Sequence, residues 1–338
     1  MTARNRPVAV LAMTADLPDL LFTPALRRRL AEDVELGPGP VLQEFDSAPA
    51  RAALARAEVL ITGWGSPRIT AEVLDAAPAL RAVVHTGGSV KGHVSRECWE
   101  RGILVSSSAA ANALPVAEYA LAWILLAAKG ARRLEHTYRT RRAAVDRNAE
   151  FPHVGAYRRS VGIIGASRIG RRVIELLRPF DLEVSLFDPY VTAAEAAALG
   201  VASATLPDLL TGSDIVSLHA PALHSTRHMI DAAGLARMPD GATLINTARG
   251  SLVDQEALVA ELLTGRIDAV IDTTEPEVPP PDSPLYTLPN VVLTPHIAGA
   301  QGNELLRLGE SAADEVHRYV TGLPLAHPVV VHDLARIA

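Results

Sequence analysis

Residues 161–177 read VGIIGASRIGRRVIELL, an apolar run, a glycine turn and a helical stretch in immediate succession. Gly165-Ala166-Ser167-Arg168-Ile169-Gly170 follows the spacing of a dinucleotide-binding turn, with Ser167 where a second glycine normally stands. In such a turn the first glycine makes the tight reversal, and the last lets the helix pack close to the strand. The middle position is where backbone meets a pyrophosphate, and a serine fits there if its φ is negative. Asp188 lies 18 positions after Gly170, at the end of the next apolar run, LEVSLFD. A carboxylate there accepts hydrogen bonds from ribose hydroxyls and repels a 2′-phosphate, which points to NAD rather than NADP. The competing readings are a plain strand-to-helix turn without a cofactor and an aspartate that only opens the turn at Pro189.

Outward from this turn the same alternation continues. Downstream, DIVSLHA, ATLINTARG, IDAVIDT and NVVLTPH read as further buried strands. Upstream, PVAVLAM, AEVLITG, LRAVVHTG and GILVSS alternate with helical stretches such as PALRRRLAED, TAEVLDAA and VSRECWE. Short β-branched runs between amphipathic helices are the pattern of parallel sheets covered by helices. A long helical segment from about Asn112 through PVAEYALAWILLAAKGARRLEH is expected to link two domains, with Pro115 in its first turn, where a missing N–H costs little. A last helix is expected over 303–320. At 338 residues and 49% hydrophobic, the chain exceeds what one core usually holds.

A net charge of −6 gives no electrostatic reason to expect nucleic acid, so small molecules are the expected partners. Cys98 is the sole cysteine, which rules out an intramolecular disulfide and fits a reducing cytoplasm. The first apolar run is broken by Asp16, and LAWILLAAK at 121–129 is too short to span a bilayer, so no membrane partner is expected. His224 and His228 stand four apart, but the intervening residues supply no metalloprotease glutamate; no metal is expected.

Three reactive side chains follow strand candidates in order: Arg249 in LINTARG, Glu277 after AVIDTT and His296 in VVLTPH. Strands of an open α/β sheet deliver their carboxyl ends to one crevice, so such residues can converge. They supply a fixed cation for an anionic substrate, a carboxylate, and an imidazole able to exchange a proton near neutral pH.

VGIIGASRIGRR, DIVSLHAPALHSTRHMI, LINTARGSLVDQEAL, AVIDTTEPE and NVVLTPHIAG, in this order, resemble the signatures of the D-isomer-specific 2-hydroxyacid dehydrogenases over nearly the whole chain. The resemblance implies a Rossmann-type doubly wound parallel sheet domain, residues 112–300, inserted in a flavodoxin-like substrate domain made of residues 1–111 and 301–338. It implies NAD as cofactor, a 2-oxo or 2-hydroxy acid as substrate and a homodimer. Arg249 then resembles the residue that holds the substrate carboxylate and 2-oxo group, His296 the general acid/base, and Glu277 its carboxylate partner, with Glu275 as the alternative. Asp272 resembles the residue that hydrogen-bonds the nicotinamide amide, although Thr273-Thr274 replaces the usual Val-Phe after it.

Gly165, Ser167, Arg168, Ile169, Gly170, Asp188, His219, Pro221, Thr226, Thr247, Ala248, Arg249, Asp272 and His296 make up the implied cofactor contacts. For substrate, HTGGSV at 85–90 offers Gly87 and Gly88 as a backbone anion nest. Asn112 and Glu118 match positions near the nicotinamide end. Trp64, in GWGSP, lies in the loop near which phosphoglycerate dehydrogenase-like members bring a cation; it either favours an uncharged, bulky substrate tail or packs into the domain core. An NAD-sensing binding protein of the corepressor type remains the alternative function, since fold does not settle function.

Overall fold

The computed structural model describes residues 6–335 apart from 38 and 40. The chain divides into two compact units, one formed by the residues up to Ala113 together with those from Ala300 onward, the other by Leu114–Gly299.

The first unit holds β1 (Val8–Ala12), β2 (Glu35–Leu36), β3 (Val59–Thr62), β4 (Ala82–His85) and β5 (Leu104–Ser107). All pair in parallel, in the order β2-β1-β3-β4-β5. This is the flavodoxin-like order. Alternate side chains leave opposite faces of each strand, so both faces must be covered. Val10, Leu60, Val83 and Val105 pack with Leu54 and Leu74 on one face. Ala9, Ile61, Ala82 and Val84 pack with Leu308, Ala312 and Val316 of the helix Leu305–Thr321 on the other. The free edge of β5 is covered by the C-terminal segment, where Val329 N–H donates to Val105 O at 2.7 Å. Buried Glu315 ties that segment down by accepting the N–H groups of Ala326 and His327 at 2.9 and 3.1 Å.

The second unit holds β6 (Arg159–Ile164), β7 (Leu182–Phe187), β8 (Ala202–Ser203), β9 (Ile215–Leu218), β10 (Thr243–Asn246), β11 (Asp268–Ile271) and β12 (Val291–Leu293). Their order is β12-β11-β10-β9-β6-β7-β8, again all parallel. The chain runs outward from β6 through β7 and β8, then returns to β9 on the other side. That reversal opens a crevice beyond the carboxyl ends of β6 and β9, where open sheets take their ligands. The Rossmann-type fold read from the glycine turn is therefore present, and the turn sits at the crevice.

Two sequence expectations are corrected. The linking helix begins earlier, at Ala109, and ends at Ala128, so Pro115 is its seventh residue and lies inside it. It is also not one rod: Gly130, at φ +59°, breaks it before a second helix, Ala131–Arg141. At 20 residues with a mean hydropathy of 1.4, Ala109–Ala128 does have the length and composition to cross a bilayer, unlike the shorter stretch read from the sequence. Part of its apolar surface is packed inside the second unit, where Ala117, Ala120, Ile124 and Ala128 are fully buried against Val161, Ile163 and Val173, while Leu126 stays 44% exposed. The two-residue strands β2 and β8 have no apolar run and carry no sequence signal.

Candidate active site

The glycine turn is built as its spacing requires. Gly165 has φ +98°, and a Cβ there would stand 2.6 Å from Ala220 N, in the loop after β9. A Cβ at Gly170 would fall on the carbonyl oxygen of Gly165. Ser167 has an ordinary φ of −63° and caps the helix Arg168–Leu177, its hydroxyl accepting Gly170 N–H at 3.3 Å. Arg168 is exposed at the first position of that helix, while Ile169 turns inward and packs on the core beneath it. Asp188 binds the turn from the neighbouring strand, Oδ2 accepting Ala166 N–H at 2.7 Å and Oδ1 accepting Tyr190 N–H at 2.8 Å. It is thereby fixed beside the loop, with lone pairs left on both oxygens.

Around the crevice the residues fit a dinucleotide. His219, just past β9, is buried and keeps Nε2 on Ser217 Oγ at 3.0 Å, while its Nδ1 has no partner among the described residues. Burial pushes this imidazole down to about 3, so it is neutral and presents one donor or acceptor. Thr247, just past β10, and Thr273, just past β11, likewise hold buried hydroxyls with no partner among the described residues. Buried polar atoms are rarely left unpaired, and three at the carboxyl ends of adjacent strands suit a polar ligand. Thr226 is different: its hydroxyl donates to Pro221 O at 2.7 Å and accepts Leu223 N–H at 2.8 Å, closing its own loop. Ala248 is buried, its N–H held by Asn246 Oδ1 at 3.1 Å and its carbonyl by Arg249 Nη1 at 2.6 Å.

The carboxylate and the imidazole meet. Glu277 Oε1 lies 2.5 Å from His296 Nδ1, and both side chains keep substantial exposure, 60% and 43%. The choice between two glutamates is settled geometrically, because Glu275 instead forms a two-pronged pair with Arg227, at 2.9 and 2.8 Å. Arg227 holds the Glu275 carboxyl below its usual range. Thr274 donates its hydroxyl to Glu277 O at 2.9 Å, so the threonine that departs from the family pattern closes the turn carrying Glu277. Arg249 is half-buried; burial works against its charge and nearby Glu277 supports it. Gly250 joins the two loops, since a Cβ there would fall on the Thr274 carbonyl.

His296 itself has φ +56°, in the left-handed region that non-glycine residues rarely enter. Asp272 holds it there. Its main-chain oxygen accepts His296 N–H at 2.9 Å, Oδ1 accepts Ile297 N–H at 2.8 Å and Thr294 Oγ1–H at 2.6 Å, and Oδ2 accepts Ala298 N–H at 2.9 Å. Sequence reading placed Asp272 at the cofactor; the structure shows both carboxylate oxygens serving the histidine loop. Tyr119, Thr294 and Gly250 were missed, and of these only Thr294, next but one to His296, had a local signal.

In the first unit, Trp64 follows β3 and is 40% exposed, so it is not a core residue. Gly87 and Gly88 follow β4 and neither has a positive φ. At Gly87 a Cβ would stand 2.6 Å from Nε2 of His85. That imidazole is buried, bonded through Nδ1 to Thr62 Oγ1 at 2.9 Å, and pushed down to about 3 by burial, with His93 adding to it. Asn112 is occupied by Ala300 N–H, accepted on Oδ1 at 2.9 Å, and Glu118 is exposed.

Comparison with known proteins identifies the chain's relatives. Residues 121–298 match the family model described as "D-isomer specific 2-hydroxyacid dehydrogenase, NAD binding domain". The chain is 36% identical over 259 residues to a glyoxylate reductase of Korarchaeum cryptofilum, covering 75% of this chain and 77% of that one. It is 32% identical over 316 residues to a D-3-phosphoglycerate dehydrogenase of Mycobacterium leprae, covering 91% of this chain and 58% of that one. Among solved structures, a D-lactate dehydrogenase from Aquifex aeolicus complexed with NAD and lactic acid superposes with a TM-score of 0.70 at 27% identity, over 93% of this chain and 96% of that one. The chain spans about half the length of the phosphoglycerate dehydrogenases it matches. It belongs to the D-isomer specific 2-hydroxyacid dehydrogenase family, and its second unit carries that family's NAD-binding domain.

Proposed function

We propose that the protein is an NAD-dependent oxidoreductase interconverting a 2-oxo acid and a D-2-hydroxy acid, with His296 as general acid/base, Glu277 as its partner and Arg249 as the substrate's cationic anchor. The observation that carries this reading is the 2.5 Å contact between His296 Nδ1 and Glu277 inside an NAD-binding domain. A carboxylate only accepts, so the proton between them sits on Nδ1, and Nε2 is the nitrogen that exchanges. Protonated, Nε2 donates to the oxygen of a 2-oxo acid as that oxygen gains charge; neutral, it takes the proton of a 2-hydroxyl group. NADH, when bound, supplies the hydride for the 2-carbon. Arg249 offers a charged, forked donor for the carboxylate and the developing alkoxide.

Consumption of NADH against a panel of 2-oxo acids tests the reading directly. His296→Ala should lose roughly a hundred- to ten-thousand-fold in kcat while still binding NADH, the range for a positioned proton donor. Arg249→Ala should lower kcat and raise KM together. Full turnover by His296→Ala would sink the assignment.

The fixed carboxylate of Asp188 favours NADH over NADPH, which a comparison of the two dissociation constants will show. The substrate tail is assigned as uncharged and fairly bulky. Trp64 offers an exposed aromatic face, and buried, neutral His85 adds no cation to that end of the first sheet. Phenylpyruvate or 2-oxoisocaproate should therefore surpass phosphohydroxypyruvate in kcat/KM, and Trp64→Ala should narrow the gap.

A further inference from the structure

A hydrogen-bond chain reaches the histidine loop from a helix far away in sequence. Tyr119 OH lies 3.0 Å from Thr294 Oγ1, and Thr294 Oγ1 lies 2.6 Å from Asp272 Oδ1. The direction of each bond follows from what the groups can do. The carboxylate has no proton to give, so the single hydroxyl proton of Thr294 goes to Asp272. Tyr119 must then be the donor to Thr294. The chain runs Tyr119 to Thr294 to Asp272, and Asp272 grips the N–H groups of Ile297 and Ala298 with its carboxylate and that of His296 with its main-chain oxygen.

Asp272 is 2% exposed, so no solvent replaces a lost partner. An aspartate has two side-chain torsions, and to the two loop N–H groups Thr294 adds a third donor, itself tied through Tyr119 to the helix Ala109–Ala128. The consequence falls on His296, whose φ of +56° persists only while its surroundings over-determine it. If Asp272 turns, the loop relaxes toward a negative φ and carries Nδ1 away from Glu277.

We propose that Thr294, oriented by Tyr119, is a positioning residue for His296, its hydroxyl setting the Asp272 carboxylate in the one orientation that clamps residues 296–298. This rests on the reading of His296 as the acid/base, and the test separates the two. Three variants are made in the full-length protein: Thr294→Val, which keeps shape and removes the hydroxyl, Thr294→Ser, which keeps the hydroxyl, and Tyr119→Phe.

In folded Thr294→Val, kcat for 2-oxo acid reduction should fall about tenfold or more, with KM and the NADH dissociation constant within about twofold of wild type. Thr294→Ser should recover to within about threefold, and Tyr119→Phe should lie between. The activity-independent readout is the imidazole 15N spectrum of His296 without cofactor. At a pH where the ring carries a single proton, wild type and Thr294→Ser should hold it at Nδ1; Thr294→Val should show a mixture of tautomers.

Wild-type kcat and an unmixed Nδ1–H tautomer in Thr294→Val would overturn the positioning role. So would a serine variant as poor as the valine one, since shape and not the hydroxyl would then matter. If Thr294→Val fails to fold, Tyr119→Phe decides, because an unchanged tautomer and kcat there exclude the relay. If no 2-oxo acid is reduced by wild type, the acid/base reading fails, while the tautomer comparison still decides the positioning role.

Discussion

Two positions separate Glu275 from Glu277, and they have different partners. Glu277 reaches the imidazole, whereas Glu275 is spent on Arg227 in an exposed pair. Glu277→Gln keeps the side chain's shape and removes the charge that fixes the proton on Nδ1. Losing this charge-assisted bond, weakened by the exposure of both side chains to about 1.4 kcal/mol, should lower kcat roughly tenfold. Glu275→Gln should leave kcat and the thermal midpoint close to wild type, because exposed ion pairs contribute little. Steady-state kinetics of the two variants side by side checks this, and equal losses would mean that the loop's shape matters rather than the individual carboxylate. Ser167 offers a second test. With its hydroxyl on Gly170 N–H, Ser167→Ala should cost about 1 kcal/mol as a lost helix cap, and Ser167→Gly only a few tenths. Denaturant midpoints measure both. A serine in place of the middle glycine is thus compatible with the turn because the turn needs a negative φ and a cap there.

At the scale of elements, the three loops that leave β10, β11 and β12 are joined to one another before any ligand is considered. Asn246 Nδ2 donates to Arg249 O at 2.9 Å, Gly250 packs on Thr274, Thr274 holds Glu277 O, and Asp272 holds the His296 loop. Gly250→Ala tests this coupling. Its Cβ would displace the Thr274–Glu275 backbone, costing about 1 to 3 kcal/mol as an overpacked contact and shifting Glu277 from His296. A lower unfolding midpoint together with a lower kcat in the folded protein is expected; loss of stability with kcat untouched would show that the two loops move independently. The strands beneath were legible in the sequence because parallel strands buried on both faces must be mostly apolar, and β3, β4, β9 and β10 are buried at every position with one or two polar residues each. The linking helix was legible as a helix but not in its limits. Nothing in ANALPVAEYA says whether Pro115 begins a helix or sits inside one, since the helix starts where Ala109 leaves β5 and the later residues Ala117, Ala120 and Ile124 are packed on the second sheet.

For the whole molecule, each unit buries one neutral histidine at the carboxyl end of its sheet, His85 in the first and His219 in the second, and both are pushed from 6.5 down to about 3 by burial. Above pH 6.5 both rings are neutral folded or unfolded. As pH falls from 6.5 toward 3, the unfolded chain takes up a proton on each ring that the folded chain refuses, so stability drops by about 1.4 kcal/mol per pH unit per ring. Thermal midpoints measured from pH 7.5 to 4 should decline across this window, and His85→Asn or His219→Asn should flatten the decline; an unchanged slope in both variants would contradict the burial of these rings as neutral groups. Sequence alone could determine the α/β class, the glycine turn, Asp188 after the second strand of its sheet, and the order Arg249, Glu277, His296, because each depends on local spacing and on which residue types a buried strand admits. Only the tertiary structure decided which glutamate meets the histidine, that Asp272 grips the histidine loop, and that Tyr119 reaches Thr294. Those are contacts between residues that lie on different strands and helices, and their partners are chosen by where the packed sheet brings the ends of its strands, which no periodicity within a single segment records.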